Sequence, residues 1–213
     1  MKLVYMRDSK SRAARHEGSS PSSGTISGNL SLRAYVIGIA IGDGNLSNPN
    51  GRAVRIRISC NTKYPQLIKN FILSIKKLLP ENKVSLIKRP PHCADISCYS
   101  NQWEKILPWK ASGGPKHKQN VSIPKWILNN KRYSRECLRG LIQTDGSIYS
   151  DRGYLMINFT TIIPKLAKDV QKIIHNLGFN SKINIIKEIH NKYVVRISKN
   201  TKKFIEEINL VKN

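Results

Sequence analysis

The sequence is poor in acidic residues. Only 13 Asp and Glu stand against 37 Lys and Arg in 213 residues, so the formal net charge is +24 and the pI is near 10.2. Charged residues make up only 23% of the chain, which means that the excess comes from missing acids rather than from a polyelectrolyte tail. A fold this basic repels itself unless an anion lies nearby, and nucleic acid is the commonest such partner. Ribosomal and membrane-surface proteins share this composition and stay open as alternatives.

Long apolar runs and a secretion signal are also missing. The longest apolar run is far shorter than the ~18 residues of a membrane span, and the basic start, Met1 to Lys10, is not followed by an apolar block. We therefore expect no membrane partner. We expect an intracellular location, in the cytoplasm or nucleoid of a prokaryote or in an organelle.

Cysteine is scarce, and the four cysteines include no C-x-x-C pair. His92, Cys93 and Cys98 suggest a zinc cluster at first sight, but their segment has the pattern of a strand. Positions 93 and 98 differ by an odd number, so their side chains are expected on opposite faces. Free thiols in an intracellular protein are the better interpretation.

Two apolar segments carry small residues at helical spacing. Gly38 and Gly42 are four residues apart, and Gly140 and Thr144 repeat the pattern later in the chain. Residues four apart lie on one helix face. A glycine inside a helix costs about 1 kcal/mol relative to alanine, so close packing of two helices through these faces is expected to offset the cost.

Each segment ends on an acid followed by glycine, at Asp43-Gly44 and at Asp145-Gly146. Gly44 is expected to adopt the left-handed conformation that ends many helices. An Asp-Gly pair can be no more than a helix-ending turn, but two such pairs in register on packed helices favour a joint site. Two carboxylates at negative helix ends repel unless a cation lies between them. Mg²⁺ suits carboxylate and carbonyl oxygens and phosphate, so the pair predicts hydrolysis of phosphodiester bonds.

The remaining chain alternates between strand and helix patterns. Arg52 to Asn61 is the clearest strand, with arginines on its polar face. Arginine pairs with guanine in the major groove, whereas a merely solvated face is the other interpretation. Ser134 is the predicted N-cap of the second motif helix. Further strands are predicted at 83–89, 94–99, 154–161, 182–187 and 193–198, and further helices at 64–79, 101–109, 126–130, 164–177 and 201–210.

The second half repeats the first. Ile58 to Thr62 matches Ile157 to Thr161, and Pro65 matches Pro164. The spacing between the two copies falls by three residues after the acids, which predicts a three-residue deletion between positions 153 and 157. Each half of an internal duplication can bind its own half of a non-palindromic duplex.

The two nine-residue motifs identify a family. Val36-Ile37-Gly38-Ile39-Ala40-Ile41-Gly42-Asp43-Gly44 and Leu138-Arg139-Gly140-Leu141-Ile142-Gln143-Thr144-Asp145-Gly146 resemble those of single-chain LAGLIDADG homing endonucleases. The resemblance implies an α+β fold of two pseudo-symmetric α-β-β-α-β-β-α repeats. In each repeat an antiparallel four-stranded sheet forms half of a DNA-binding saddle, and the repeats join at a two-helix interface. The expected units are a basic flexible arm at 1–30, repeats at 31–112 and 134–213, and a basic linker at 113–133. Whether the arm tracks phosphates or is only a mobile tail stays open.

The family activity is site-specific double-strand DNA cleavage by a monomer at a long, asymmetric target, leaving short 3′ overhangs. The resemblance implies Mg²⁺ or Mn²⁺ as cofactor, with Ca²⁺ as a substitute that does not support cleavage. An RNA maturase and a DNA-binding protein without cleavage are the alternatives on the same scaffold. The implied metal ligands are Asp43, Asp145 and the carbonyls of Gly42 and Thr144.

The resemblance also implies other site residues, which are assigned by matching position. Asn61 and Thr160 are expected to order water as catalytic groups beside the acids, with Lys116 or Lys118 from the basic loop. The second half has no counterpart of this loop, so Lys202, Lys203 and Lys212 are weak substitutes for a second lysine. The expected helix interface comprises Gly38, Gly42, Gly140 and Thr144. The expected DNA contacts are Arg52, Arg55, Arg57, Ser59, Lys83, Ser85, Arg89, Tyr154, Asn158, Lys182, Asn184 and Arg196.

Overall fold

The computed structural model describes residues 29–211, so residues 1–28 of the predicted arm at 1–30 and Lys212 lie outside the described residues. The first repeat contains α1 (Leu30–Asp43), β1 (Gly44–Ser47), β2 (Arg55–Asn61), α2 (Pro65–Leu78), β3 (Val84–Arg89), β4 (Cys93–Tyr99) and α3 (Trp103–Ile106). A 3₁₀ turn (Ala111–Gly113) and α4 (Lys125–Leu128) follow. The second repeat contains α5 (Lys131–Asp145), β5 (Gly146–Asp151), β6 (Tyr154–Thr161), α6 (Pro164–Asn176), β7 (Lys182–Ile186), β8 (Lys192–Ile197) and α7 (Thr201–Glu207).

Each repeat folds into one antiparallel four-stranded sheet. The strand orders are β1-β2-β4-β3 and β5-β6-β8-β7, so the two sheets have the same topology. Ile56 and Ile58 of β2 are buried and alternate with arginines that are partly exposed, so one face of the sheet packs on helices while the other faces outward. The predicted α+β fold of two repeats is confirmed.

The helices α1 and α5 pack against each other at the junction of the repeats. Every residue from Ala34 to Ile41 is buried, because α1 is covered by helix on one side and sheet on the other. A Cβ atom built on Gly38 would lie 2.1 Å from the Cys137 carbonyl oxygen, and one on Gly140 would lie 2.6 Å from the Tyr35 carbonyl oxygen. The backbones therefore touch where the two glycines remove the side chains.

The motif glycines end their helices in a different way from the prediction. Gly44 has φ −80° and ψ 145°, an extended conformation rather than the left-handed one that was predicted. Gly146 adopts the same conformation, and each glycine is the first residue of a strand. A Cβ on Gly44 would lie 2.4 Å from the Ala40 carbonyl oxygen. Glycine is needed here for close backbone approach, because the chain turns from helix into strand within one residue.

The second motif helix also begins earlier than predicted. Its N-cap is Asn130, whose side-chain oxygen accepts a hydrogen bond from the Tyr133 amide, so the assignment of Ser134 as the cap was wrong. Ser134 lies within α5, where its hydroxyl donates to the Ile127 carbonyl oxygen at 2.8 Å. Both residue types cap helices well. Ser134 does not act as a cap, because its hydroxyl is used in the buried hydrogen bond to Ile127 of α4.

Strand pairing corrects the predicted alignment of the repeats. Gly44 pairs with Ile58, whereas Gly146 pairs with Phe159. Ile58 and Phe159 are thus equivalent positions, and both are fully buried. The single deletion predicted between 153 and 157 is therefore wrong: one residue is lost in the β5–β6 turn, and two are lost in the connection that leads to Pro164.

Some element boundaries also differ. The predicted strand from Arg52 begins at Arg55, so Arg52 lies in the hairpin loop, and Lys83 lies one residue before β3. Cys93 and Cys98 belong to β4, half-buried and buried respectively. None of the helices within 29–211 has the length and apolar character needed to cross a membrane.

Candidate functional site

The two motif acids lie together at the same end of the packed helices. Asp43 is the last residue of α1 and Asp145 is the last residue of α5. A Cβ built on Gly42 would lie 2.0 Å from Thr144 Oγ1 and 3.4 Å from Asp145 Oδ2. Both carboxylates thus lie at the end of the helix pair where two helix C-termini already carry partial negative charge, and a positive partner stabilises such a site.

Lys116 supplies a positive charge at this place. Its Nζ donates hydrogen bonds to the carbonyl oxygens of Ala40 (3.5 Å), Ile41 and Gly42 at the end of α1. Burial lowers the pKa of the Lys116 ammonium, and the negative charges of Asp145 and Asp43 oppose that shift. Lys116 therefore faces both acids, whereas the side chain of Lys118 is exposed.

Two pockets flank the acids. The larger pocket is a cleft of about 620 Å³ lined by Asp145, Lys116, Thr160 and Gly42, among others. The smaller pocket, of about 160 Å³, is lined by residues that include Asp43, Asn61 and Thr144. In each pocket, therefore, an acid lies beside the strand end of its own repeat and the helix end of the other repeat. The pockets are related by the repeat symmetry, but Lys116 lines only the larger of the two.

The donor set fits a hard divalent cation. No group of three or more His, Cys, Asp or Glu side chains that could hold a metal occurs between residues 29 and 211. Mg²⁺ needs few protein ligands, because it keeps water and phosphate oxygens in its shell, so the paired carboxylates of Asp43 and Asp145 suffice. The Gly42 carbonyl, an expected ligand, accepts a hydrogen bond from Lys116. The Thr144 hydroxyl donates to the carbonyl oxygens of Gly140 and Leu141, each at 3.0 Å.

The outward face of the first sheet carries arginines held in place by neighbours. Arg55 Nε donates to Ser47 Oγ at 3.3 Å, and its guanidinium lies 5.9 Å from the centroid of the Tyr99 ring. Arg89 pairs with Asp95 at 2.7 Å. The same carboxylate accepts a hydrogen bond from the Ser59 hydroxyl at 2.9 Å.

Sequence reasoning missed Asp95, which is only 4% exposed although it lies on the outward face. The alternation of β4 places it on that face, and acids are rare in this chain. Its burial under Arg89 and Ser59 was the part that could not be predicted. A buried acid paired with arginine stabilises a fixed orientation of that arginine.

The second sheet carries a different set of polar groups. Asn158 Nδ2 donates to the Tyr149 hydroxyl at 3.0 Å, and Arg196 pairs with Asp151 at 3.1 Å. Tyr154 is 68% exposed. The remaining predicted contact residues on the outward faces of the two edge strands are Ser85 on β3 and Lys182 and Asn184 on β7. Lys192 was also missed: it lines the larger cleft and is paired with Glu188.

The four cysteines are free, as the sequence predicts. Burial raises the pKa of Cys60 to about 12 and that of Cys98 to about 11, and it raises the pKa of Cys137 further. Thiols with raised pKa values stay protonated at neutral pH, so Cys60, Cys98 and Cys137 are poor nucleophiles.

Comparison with known proteins identifies the family. Residues 132–209 match the model of a LAGLIDADG-like domain, and residues 32–89 match the model of the WhiA LAGLIDADG-like domain. The chain is a LAGLIDADG family protein. Both matched segments include one of the acidic helix ends, so the family assignment covers both halves of the site.

Solved structures support the same LAGLIDADG fold. Mesophilic variants of the homing endonuclease I-DmoI are 20% identical, with a TM-score of 0.64 over 86% of this chain and 98% of theirs. I-DmoI in complex with DNA and Mn is 22% identical, with a TM-score of 0.62 over 84% of this chain and 97% of that one. Full-length DUF199/WhiA from Thermotoga maritima is 15% identical, with a TM-score of 0.61, and the match covers 85% of this chain and 56% of WhiA.

A curated relative is much longer than this LAGLIDADG chain. The ATP-dependent DNA helicase Hel308 of Thermococcus kodakarensis is 29% identical over 157 residues, which is 71% of this chain. The match spans only 13% of the helicase. The similarity is thus to a short part of that protein.

Proposed function

We propose that this LAGLIDADG protein is a site-specific double-strand DNA endonuclease that requires a divalent metal ion. The observation that carries the proposal is the pair of acids, Asp43 and Asp145, which end the two packed helices beside the half-buried Lys116. I-DmoI, which shares the fold, is a homing endonuclease with structures in complex with DNA and Mn or Ca. Because its substrate is DNA, we place the protein inside the cell.

The proposed catalytic residues lie in two pockets, each of which contains one of the two acids. Asp43 and Asp145 would hold the metal ion, and each carboxylate borders one pocket, so each can serve one strand of the duplex. A divalent ion held by these carboxylates would supply an activated water and would offset the charge on the phosphate and on the leaving 3′ oxygen. Lys116 keeps a positive charge beside the phosphate and holds the end of α1 in place. Asn61 and Thr160 border the same pockets as the acids and can orient water.

A protein that binds nucleic acid without cutting it is the second candidate. The first repeat matches the model of the WhiA LAGLIDADG-like domain, and WhiA shares the fold. This match favours binding without cleavage, because WhiA-like relatives are not enzymes. A library of randomised duplexes incubated with the protein separates the two functions. We expect cleavage of a small, sequence-related subset with Mg²⁺ or Mn²⁺, and none with EDTA. Tight binding of a subset with no cleavage in either metal would favour the binding protein.

Replacing Lys116 by methionine should slow cleavage about 10²-fold, since a charge beside the reacting phosphate is removed. Methionine keeps most of the buried stem, so the DNA affinity in Ca²⁺ should stay nearly constant. Lys118→Met is the matched control: it lies in the same loop and is exposed, and it should cleave at the unchanged rate. An equal loss of cleavage rate in the two variants would show that the loop contributes by binding DNA and not by placing Lys116 beside the acids.

A further inference from the structure

The two sheets present different side chains at equivalent positions of their central strands. Ile58 and Phe159 are equivalent through their pairing with the motif glycines. The residue before each points to the opposite, outward face. The first sheet has Arg57 there, and the second sheet has Asn158. Two residues earlier on the same face, Arg55 stands opposite Ser47 and Met156 stands opposite Tyr149.

The side chains of these two pairs suit different bases. Arginine donates two hydrogen bonds to O6 and N7 of guanine, whereas asparagine pairs with N6 and N7 of adenine. An apolar side chain such as that of Met156 contacts the methyl group of thymine. Each such contact discriminates between bases by about tenfold to a hundredfold.

The two central side chains, Arg57 and Asn158, are each half-buried. Asn158 Nδ2 donates a hydrogen bond to the Tyr149 hydroxyl. Within residues 29–211 the Asn158 Oδ1 atom is buried and has no hydrogen-bond partner. A rotation of the side chain that turns Oδ1 outward would let it accept a hydrogen bond from the adenine N6 amino group, with loss of the bond to Tyr149.

The second sheet also carries an arginine, Arg196, but it does not lie at the position equivalent to Arg57. It lies on β8, beside Asn158, in the place that Ser97 occupies beside Arg57. Its guanidinium is paired with Asp151 at 3.1 Å. The arginine of the second sheet thus lies one strand further from the β5–β6 hairpin than Arg57 does from the β1–β2 hairpin, and we expect it to contact a different base pair from the one under β6.

We propose that the two half-sites of the DNA target differ in composition under the central strands. The half-site bound by the first repeat has guanine at the positions contacted by Arg57 and Arg55. The half-site bound by the second repeat has adenine and thymine at the positions contacted by Asn158 and Met156. The inference rests on the proposed binding of DNA, and it does not require cleavage.

Selection of bound duplexes from a randomised library in Ca²⁺, followed by sequencing, tests the inference. The wild-type pool should show guanine in one half and adenine at the symmetric position of the other half, each preferred by about tenfold or more. Arg57→Asn should change that guanine to adenine in its own half only. Asn158→Arg should make the reciprocal change in the other half. Arg55→Met should add a thymine preference and provides an independent readout.

Several outcomes would overturn the inference. These are the same base at both symmetric positions of the wild-type pool, a guanine preference that survives Arg57→Asn, and a pool without base preference. The thermal midpoint of each variant shows that it is folded. If the selected duplex is bound but stays uncut in Mg²⁺, the nuclease proposal fails while the half-site inference stands.

Discussion

Replacing Asp145 by asparagine should abolish double-strand cleavage, because the cleavage rate of the strand that Asp145 serves should fall about 10³-fold or more. Asparagine preserves the shape but removes the negative charge that holds a divalent ion, and Lys116 loses an opposing charge. Asp43→Asn should have the same effect on the other strand. Single-turnover cleavage of an end-labelled duplex, with each strand followed separately, measures both losses.

Binding is the control for the acid variants. The outward faces of the sheets are untouched by either substitution, so the DNA affinity in Ca²⁺-free buffer should be retained or increased as a negative charge is lost. A double-strand cleavage rate within a few-fold of wild type in either variant would show that the two acids do not act as a pair.

Replacing Gly38 by alanine should destabilise the fold by about 3 kcal/mol. Alanine is the better helix former by about 1 kcal/mol, so a purely local effect would have the opposite sign. The added Cβ would lie 2.1 Å from the Cys137 carbonyl oxygen, which belongs to the backbone of α5 and cannot turn aside. The helices have to separate, and the acids at their ends separate with them. We expect a fall in thermal midpoint of about 6–12 °C and a loss of cleavage.

Lys69→Ala is the comparison for Gly38→Ala. Because Lys69 is an exposed residue of α2, introducing alanine there should change the thermal midpoint by no more than about 1–2 °C. An unchanged or raised midpoint for Gly38→Ala would mean that α1 and α5 do not touch at this residue.

Much of the fold could be predicted, because it depends on local patterns. The strict alternation around Ile56 and Ile58 indicates a strand with one buried face, and β6 and its neighbours follow the same rule. The repeated Gly-Asp pattern, at Gly38 to Asp43 and Gly140 to Asp145, indicates two packed helices. These features need no knowledge of distant contacts.

The features that were missed depend on contacts between distant segments. The strand β1 has only four residues and begins directly at Gly44, so no periodicity reveals it. The alignment of Ile58 with Ile157 matches residue types well, but the cross-strand pairing shows that Phe159 is the equivalent of Ile58. The loop that carries Lys116 has no repeating pattern. Its docking on the end of α1 is visible only in three dimensions.

The position of the two cuts on a selected duplex tests the central claim most directly. The protein is incubated with that duplex in Mg²⁺, and the ends of both strands are mapped at nucleotide resolution. The proposed function predicts one cut in each strand, and the resemblance to homing endonucleases implies that the cuts lie a few base pairs apart across the centre of the target and leave 3′ overhangs. Tight and specific binding with both strands intact would contradict the account.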